Sequence, residues 1–217
     1  MAVRGGGNLQ DASGTMAIDH DDAGSLPPSA PARKLRLRRF FRSREGSAAI
    51  EFALLAIPYF VIIFATVETF VCYAGEQLVA NAVDKLSRQM RTGQIAATIT
   101  KEQFRQAFCN EISILIKCSP TEVNTPEKLF LDVEHYNDFS DIVPEIPRMS
   151  SDPRAPLNTS ALKFSPGGPE TINMVRAFYR WQIVTDLVRP FLSDEHRPDG
   201  SMDYLMISTS TFKNEKY

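Results

Sequence analysis

Sixteen consecutive positions, Phe52 to Val67, carry no charge, and an acid closes the run on each side, Glu51 and Glu68. Widened to the nearest polar edges, Ser47 to Tyr73, the stretch is twenty-seven residues. As a helix it would be about 40 Å long, against a hydrocarbon core of about 30 Å that about 20 apolar residues can cross. The pattern predicts a membrane-spanning helix, since a lone segment in lipid must satisfy its own backbone hydrogen bonds. A buried core helix is the competing reading. Pro58 removes one backbone donor and predicts a bend between Leu54 and Pro58.

Beyond Tyr73 the pattern becomes amphipathic. Gly75, Leu78, Val79, Ala82, Val83, Leu86 and Met90 recur at three- and four-residue spacing, with Glu76, Asn81, Asp84, Lys85, Arg88 and Arg91 on the other faces. The helix is therefore expected to continue as a core-facing stripe and to stop at Gly93. Thr100-Lys-Glu-Gln103 has the form of a capping box and opens a second helix through Phe104, Ala107, Phe108, Ile112, Leu115 and Ile116, ended by Cys118-Ser-Pro120. Leu129 to Tyr136 alternates as a strand does. Thr171 to Val184 suits helix or strand, and its β-branched and aromatic content favours a strand. Tyr204 to Phe212 gives a third. The proline-rich stretch from Asn137 to Gly168 lacks a period and reads as a long surface loop. The fold class expected is α+β: a long N-terminal helix, a second helix and a small antiparallel sheet of about three strands. The domains expected are a leader, 1–46, a transmembrane helix, 47–73, and an α+β domain, 74–217.

Charge gives the span a direction. Arg33, Lys34, Arg36, Arg38, Arg39, Arg42 and Arg44 precede it with no acid among them. By the positive-inside bias this topology signal keeps the N-terminus in the cytoplasm and sends the C-terminal domain across the membrane. The same cations favour a membrane over a soluble core and make contact with lipid headgroups, at about 1 kcal/mol each. The formal net charge of the chain is only -2, so the basic block is local and does not mark a nucleic-acid binder. Residues 1–32, with Gly5-Gly6-Gly7 and Pro27-Pro28, are too polar and aperiodic to build a core and read as a disordered leader.

The junction between block and span has its own spacing. A cut after Gly46 would make Ser47 the first residue and put Glu51 fifth, followed by Phe52. A secretory signal places its small residues after the apolar region; here they precede it, so cleavage would leave the helix on the mature chain. An acid inside the membrane edge costs about 2.5–3.5 kcal/mol on insertion scales. The new ammonium of a neighbouring subunit would offset that cost and set a packing register.

Cys109 and Cys118 lie on the far side of the proposed span. An oxidising compartment favours a bridge between them, and with no His nearby they lack the ligands of a zinc site. Cys72 is left over as a packing residue.

On these residues the chain resembles the TadE-like pseudopilins of the tight-adherence (Tad, Flp-type) pilus. Gly46-Ser-Ala-Ala-Ile-Glu51-Phe52-Ala-Leu-Leu-Ala-Ile-Pro58 and Glu68 carry the likeness. The Cys109/Cys118 pair, the aromatic strand from Val175 to Trp181 and the closing Phe212-Lys-Asn-Glu215 support it, with Lys216 standing where the family has proline. The resemblance implies cleavage after Gly46 by a prepilin peptidase and an inner-membrane anchor with a periplasmic domain. It also implies a minor pilin-like role in pilus assembly, adhesion and biofilm formation, with other pilins or pseudopilins as partners and Glu51 guiding association. No cofactor, metal or catalysis is implied. The residues agree: His20, His135 and His196 are not in ligand spacing, Gly167-Gly168 sits between prolines as a turn does, and no nucleophile elbow occurs. The alternative is an uncleaved, signal-anchored periplasmic binding or scaffold protein in which Gly46 and Glu51 have no special role.

Overall fold

The computed structural model describes residues 44–217, with side chains from Ala48 onward. The expected leader up to Ser43 and the cations Arg33, Lys34, Arg36, Arg38, Arg39 and Arg42 lie outside the described residues. The backbone of Arg44 to Gly46 already belongs to the first helix, α1, Arg44–Arg91.

At 48 residues, α1 is about 72 Å long and passes through Pro58 as one element. Its two halves differ as the pattern predicts. Val79, Ala82, Val83, Leu86 and Met90 are buried, a single stripe at helical spacing. The helix ends before Gly93, whose φ of +72° suits a residue without a Cβ. A Cβ at Gly93 would also lie only 2.6 Å from the Tyr217 ring.

The second helix, α2, Lys101–Ile112, starts at the expected capping box. Thr100 Oγ1 accepts from the Gln103 amide at 3.2 Å, and Gln103 Oε1 accepts from the Thr100 amide at 3.1 Å. Cys109 and Cys118 are joined as a disulfide, with Cα atoms 5.8 Å apart. The chain between α2 and the sheet is fixed by two buried charges. Glu122 Oε1 accepts from the amides of Glu127, Lys128 and Leu129, and Arg105 Nη1 donates to the Val123 carbonyl.

Three long strands, β1 Leu129–Tyr136, β2 Ile172–Gln182 and, last in the chain, β4 Met202–Lys213, pair antiparallel; a two-residue edge strand, β3 Glu195–His196, makes four. The order is β1-β2-β4-β3. Between β2 and β3 lies one turn of helix, α3, Arg189–Leu192. The fold is α+β as expected, with one short strand more than the pattern revealed.

Both faces of the sheet are covered. Leu129, Leu131, Val133, Val175, Ala177, Tyr179 and Met206 form one core with the α1 stripe and with Phe104, Phe108 and Ile112 of α2. Phe130, Phe178 and Leu205, on the opposite face, pack with Leu157 and Leu162, which belong to the stretch 137–168. That stretch is thus a cover as well as a surface loop. Arg176 fastens it: its guanidinium pairs with Asp132 at 2.7 Å and donates to the Glu145 carbonyl at 2.9 Å. Glu195 fastens its far end, pairing with Arg180 at 2.8 Å and accepting from the Leu157 amide at 2.8 Å. An irregular segment buries single side chains, so it shows no hydrophobic period.

Candidate functional site: the N-terminal helix and its seat on the sheet

The first half of α1 is apolar and uncovered. Phe52, Leu54, Leu55, Ile57, Tyr59, Ile62, Phe64 and Phe70 are all exposed, and they point to every side of the helix. None of its most apolar eighteen-residue window is buried, at a mean hydropathy of 2.3. A helix apolar all round belongs in a core or in lipid, and no part of the described chain forms a core around it. This one is long and apolar enough to cross a membrane. Its threonine hydroxyls are satisfied locally: Thr66 Oγ1 donates to the Ile62 carbonyl and Thr69 Oγ1 to the Ala65 carbonyl, each at 2.8 Å. That is the arrangement a low-dielectric surrounding requires.

The helix is seated on the sheet through four residues of its middle. Glu68, the acid that closes the uncharged run, accepts from the amides of Val184 and Thr185 just past the end of β2, with Oε2 3.0 Å from the Thr185 nitrogen. One turn on, Cys72 packs at the edge of the core. Gly75 is buried, and a Cβ there would stand 3.0 Å from the Met206 methyl and 3.5 Å from the Trp181 ring. Its missing side chain lets the helix lie directly on β2 and β4. Glu76 accepts from the Tyr204 hydroxyl at 3.2 Å; burial first, and then this carboxylate, push the Tyr204 phenol up to about 12, so it remains a donor.

The closing segment locks the other end. The Glu215 amide donates to the Arg91 carbonyl at 2.9 Å, at the C-terminus of α1, and the Glu215 side chain pairs with Arg91 at 3.3 Å. Asn214 Nδ2 reaches the carbonyls of Gly167 and Gly168 at 3.0 and 2.8 Å. Phe212-Lys-Asn-Glu215 thus ties helix, sheet and glycine turn together.

The sequence-derived residues fall into separate places. Gly46 and Ser47 lie in the first turns of α1. Glu51 and Phe52 are on its exposed half, Phe52 at 71 % exposure. Cys109, within α2, and Cys118, just after it, are covalently paired. Sequence reading singled out Glu68 as an acid at the helix end but did not anticipate that it grips the β2–α3 turn. The signal was the acid itself, since a carboxylate beside an apolar run needs a donor. Nor did it foresee Gly75 as the point of closest approach.

A cavity of about 700 Å³ opens between β1 and the 137–168 segment, lined among others by Glu134, Lys163 and Arg176. Three of its charged lining residues are paired, Lys163 with Glu134 at 2.9 Å and Arg176 with Asp132. His135 Nδ1 is bonded to the Ser165 carbonyl oxygen and His196 lies 3.4 Å from the Ser193 hydroxyl. Among the described residues no group of three His, Cys, Asp or Glu is placed to hold a metal.

The architecture defines a class: a long helix with a naked apolar half, carrying a disulfide-closed α+β head. Comparison with known families finds a likeness confined to that helix. Residues 46–88 match the TadE-like protein family, so the resemblance read from Gly46 to Pro58 is borne out over that segment. The match begins two residues into α1 and stops three short of its end. No curated protein and no solved structure matches the chain.

Proposed function

We propose that the protein is a minor pilin-like (pseudopilin) component for assembly of a tight-adherence pilus. The observation that carries this reading is the coincidence of the TadE-like match, 46–88, with the one helix among the described residues whose apolar half has no protein around it. Residues 47–73 span the inner membrane in contact with lipid. The leader, 1–46, stays in the cytoplasm, held there by the cations from Arg33 to Arg44, and the α+β domain, 74–217, lies in the periplasm. The Cys109–Cys118 disulfide supports the placement, since such bridges persist in oxidising compartments.

A prepilin peptidase cuts between Gly46 and Ser47. The helix is then free at its N-terminus, and other pilins or pseudopilins pack against its exposed half. Glu51, the fifth residue of the mature chain, sets their register with Phe52 beside it. The protein acts as a structural part of the assembly, without catalysis or cofactor.

The experiment is the N-terminal residue and intact mass of the membrane-extracted native protein. A start at Ser47, abolished by Gly46→Leu together with piliation, is the expected result. A retained leader in cells with active prepilin peptidase would leave an uncleaved, signal-anchored periplasmic protein instead.

A further inference from the structure

The turn that Glu68 grips is itself apolar and uncovered. Val184 is 82 %, Leu187 61 % and Phe191 86 % exposed, within residues 184–192 of the connection between β2 and β3. Packing does not account for them, because the neighbours that point inward, Ile183 and Ser193, are buried while these three stand out. Nor is the segment loose. Arg189 closes it by donating to the Ile183 carbonyl at 3.0 Å from Nη2 and by pairing with Asp186. The amides of Val188 and Arg189 both bond to the Thr185 carbonyl at 3.1 Å. Three large apolar side chains are thus held out on a tied turn.

The height of that turn is fixed by Glu68. It is the first charged residue after the uncharged run from Phe52 to Val67, so on the proposed span it marks the outer edge of the hydrocarbon. Its carboxylate takes the Val184 and Thr185 amides directly. The exposed side chains therefore continue the apolar surface of α1 sideways, at the level where that surface leaves the membrane.

We infer that residues 184–192 form an interfacial foot: Val184, Leu187 and Phe191 enter the outer leaflet of the membrane that α1 spans, and Glu68 holds them at that depth. The occupant of this patch is lipid. Apolar residues of interfacial segments sit about 5–10 Å into the boundary between headgroups and acyl chains. Arg189 and Asp186 lie within the same turn, where a polar rim faces the headgroups. The foot gives the head a second contact with the bilayer, beside α1, and so fixes its tilt. The inference rests on the proposed span, and the test separates the two.

The full chain is reconstituted in phosphatidylethanolamine–phosphatidylglycerol vesicles in which part of the lipid carries bromine on the upper acyl carbons. Three single-tryptophan proteins are compared on a Trp181→Phe background: Phe191→Trp in the foot, Phe60→Trp in the span and Lys216→Trp at the distal end. The expected result is loss of emission for the first two and none for the third, with loss of the foot signal reduced by adding Glu68→Ala. Quenching at Phe60→Trp but not at Phe191→Trp overturns the foot and keeps the span. Quenching at neither overturns both. A blue-shifted but unquenched Phe191→Trp means that protein covers the patch, and also overturns the inference. Should Trp181→Phe loosen the fold, a nitroxide on Phe191→Cys in a Cys72→Ser chain reads the same depth from its collisions with oxygen against a water-soluble nickel complex.

Discussion

Glu68 makes two charge-assisted bonds to backbone amides, each of a kind worth about 1.5–3 kcal/mol. Glu68→Ala is expected to leave the core intact and to free the turn, so that the Val184 and Thr185 amides exchange hydrogen about tenfold faster for each 1.4 kcal/mol lost. Glu68→Gln, which keeps a neutral acceptor, should fall between. Asp132 and Arg176 are a different case, both almost fully buried. Removing one charge strands the other, at a cost of about 3–5 kcal/mol. Asp132→Ala should therefore lower the thermal midpoint of the detergent-solubilised chain by many degrees and release the 137–168 cover to protease. Asp194 titrates in the opposite sense from a paired carboxylate. Burial raises its pKa, partly offset by the bond from the Leu205 amide. A raised folded pKa means that the folded state holds the proton more tightly. Its contribution is thus full below the ordinary aspartate value of about 3.9 and is lost as pH rises through the folded value. Asp194→Asn, which keeps the oxygen acceptor, should flatten that fall in stability, read as midpoint against pH in both proteins.

Among the elements, the disulfide and the seat of α1 do separable work. The Cys109–Cys118 bridge closes a short loop at the end of α2, and by chain entropy it contributes about 2–3 kcal/mol. Reduction, or Cys118→Ser, should lower the unfolding midpoint without displacing α1 from the sheet, since that contact is made by Gly75, Glu68 and Glu76. Gly75→Leu should do the reverse. A large side chain against Met206 and Trp181 forces the helix away from β2 and β4, at about 1–3 kcal/mol of overpacking. The phenol of Tyr204, no longer held at Glu76, should then return toward the ordinary value of about 10, which ultraviolet titration would show.

At the scale of the whole molecule the question is which side of a membrane the head occupies. On the proposed topology the 137–168 segment faces the periplasm. Protease added to intact spheroplasts should cut it in the Asp132→Ala protein, while a tag placed before Arg33 of an uncleaved Gly46→Leu chain stays protected until the cells are lysed. Exchanging the seven cations from Arg33 to Arg44 for neutral residues should weaken this orientation, with some chains inserted the other way. The fold suits such a placement, because among the described residues every buried one lies from Gly75 onward.

The sequence by itself determined the elements whose residues repeat. The uncharged run, the 3.6-residue stripe from Val79 to Met90, the Thr100 capping box and the alternating strands are local patterns, and each became the element it predicts. The strand at Thr171 to Val184 was ambiguous locally, and pairing with β1 and β4 on both sides decided it. Only the tertiary structure showed what 137–168 does, since Leu157 is buried by contact with Phe130 and Phe178, not by any period of its own. Only it showed β3, whose two residues exist as a strand because Glu195 is held by Arg180 and the Leu157 amide. The candidate site divides the same way. Gly46, Glu51 and the apolar run are legible because the proposed insertion and processing would read the chain in order. Glu68, Gly75, Asn214 and the foot at Val184 to Phe191 are not, because their meaning lies in partners a hundred or more residues away, or, for Asn214, in a turn nearly fifty residues back, brought near only when the sheet has formed against the helix.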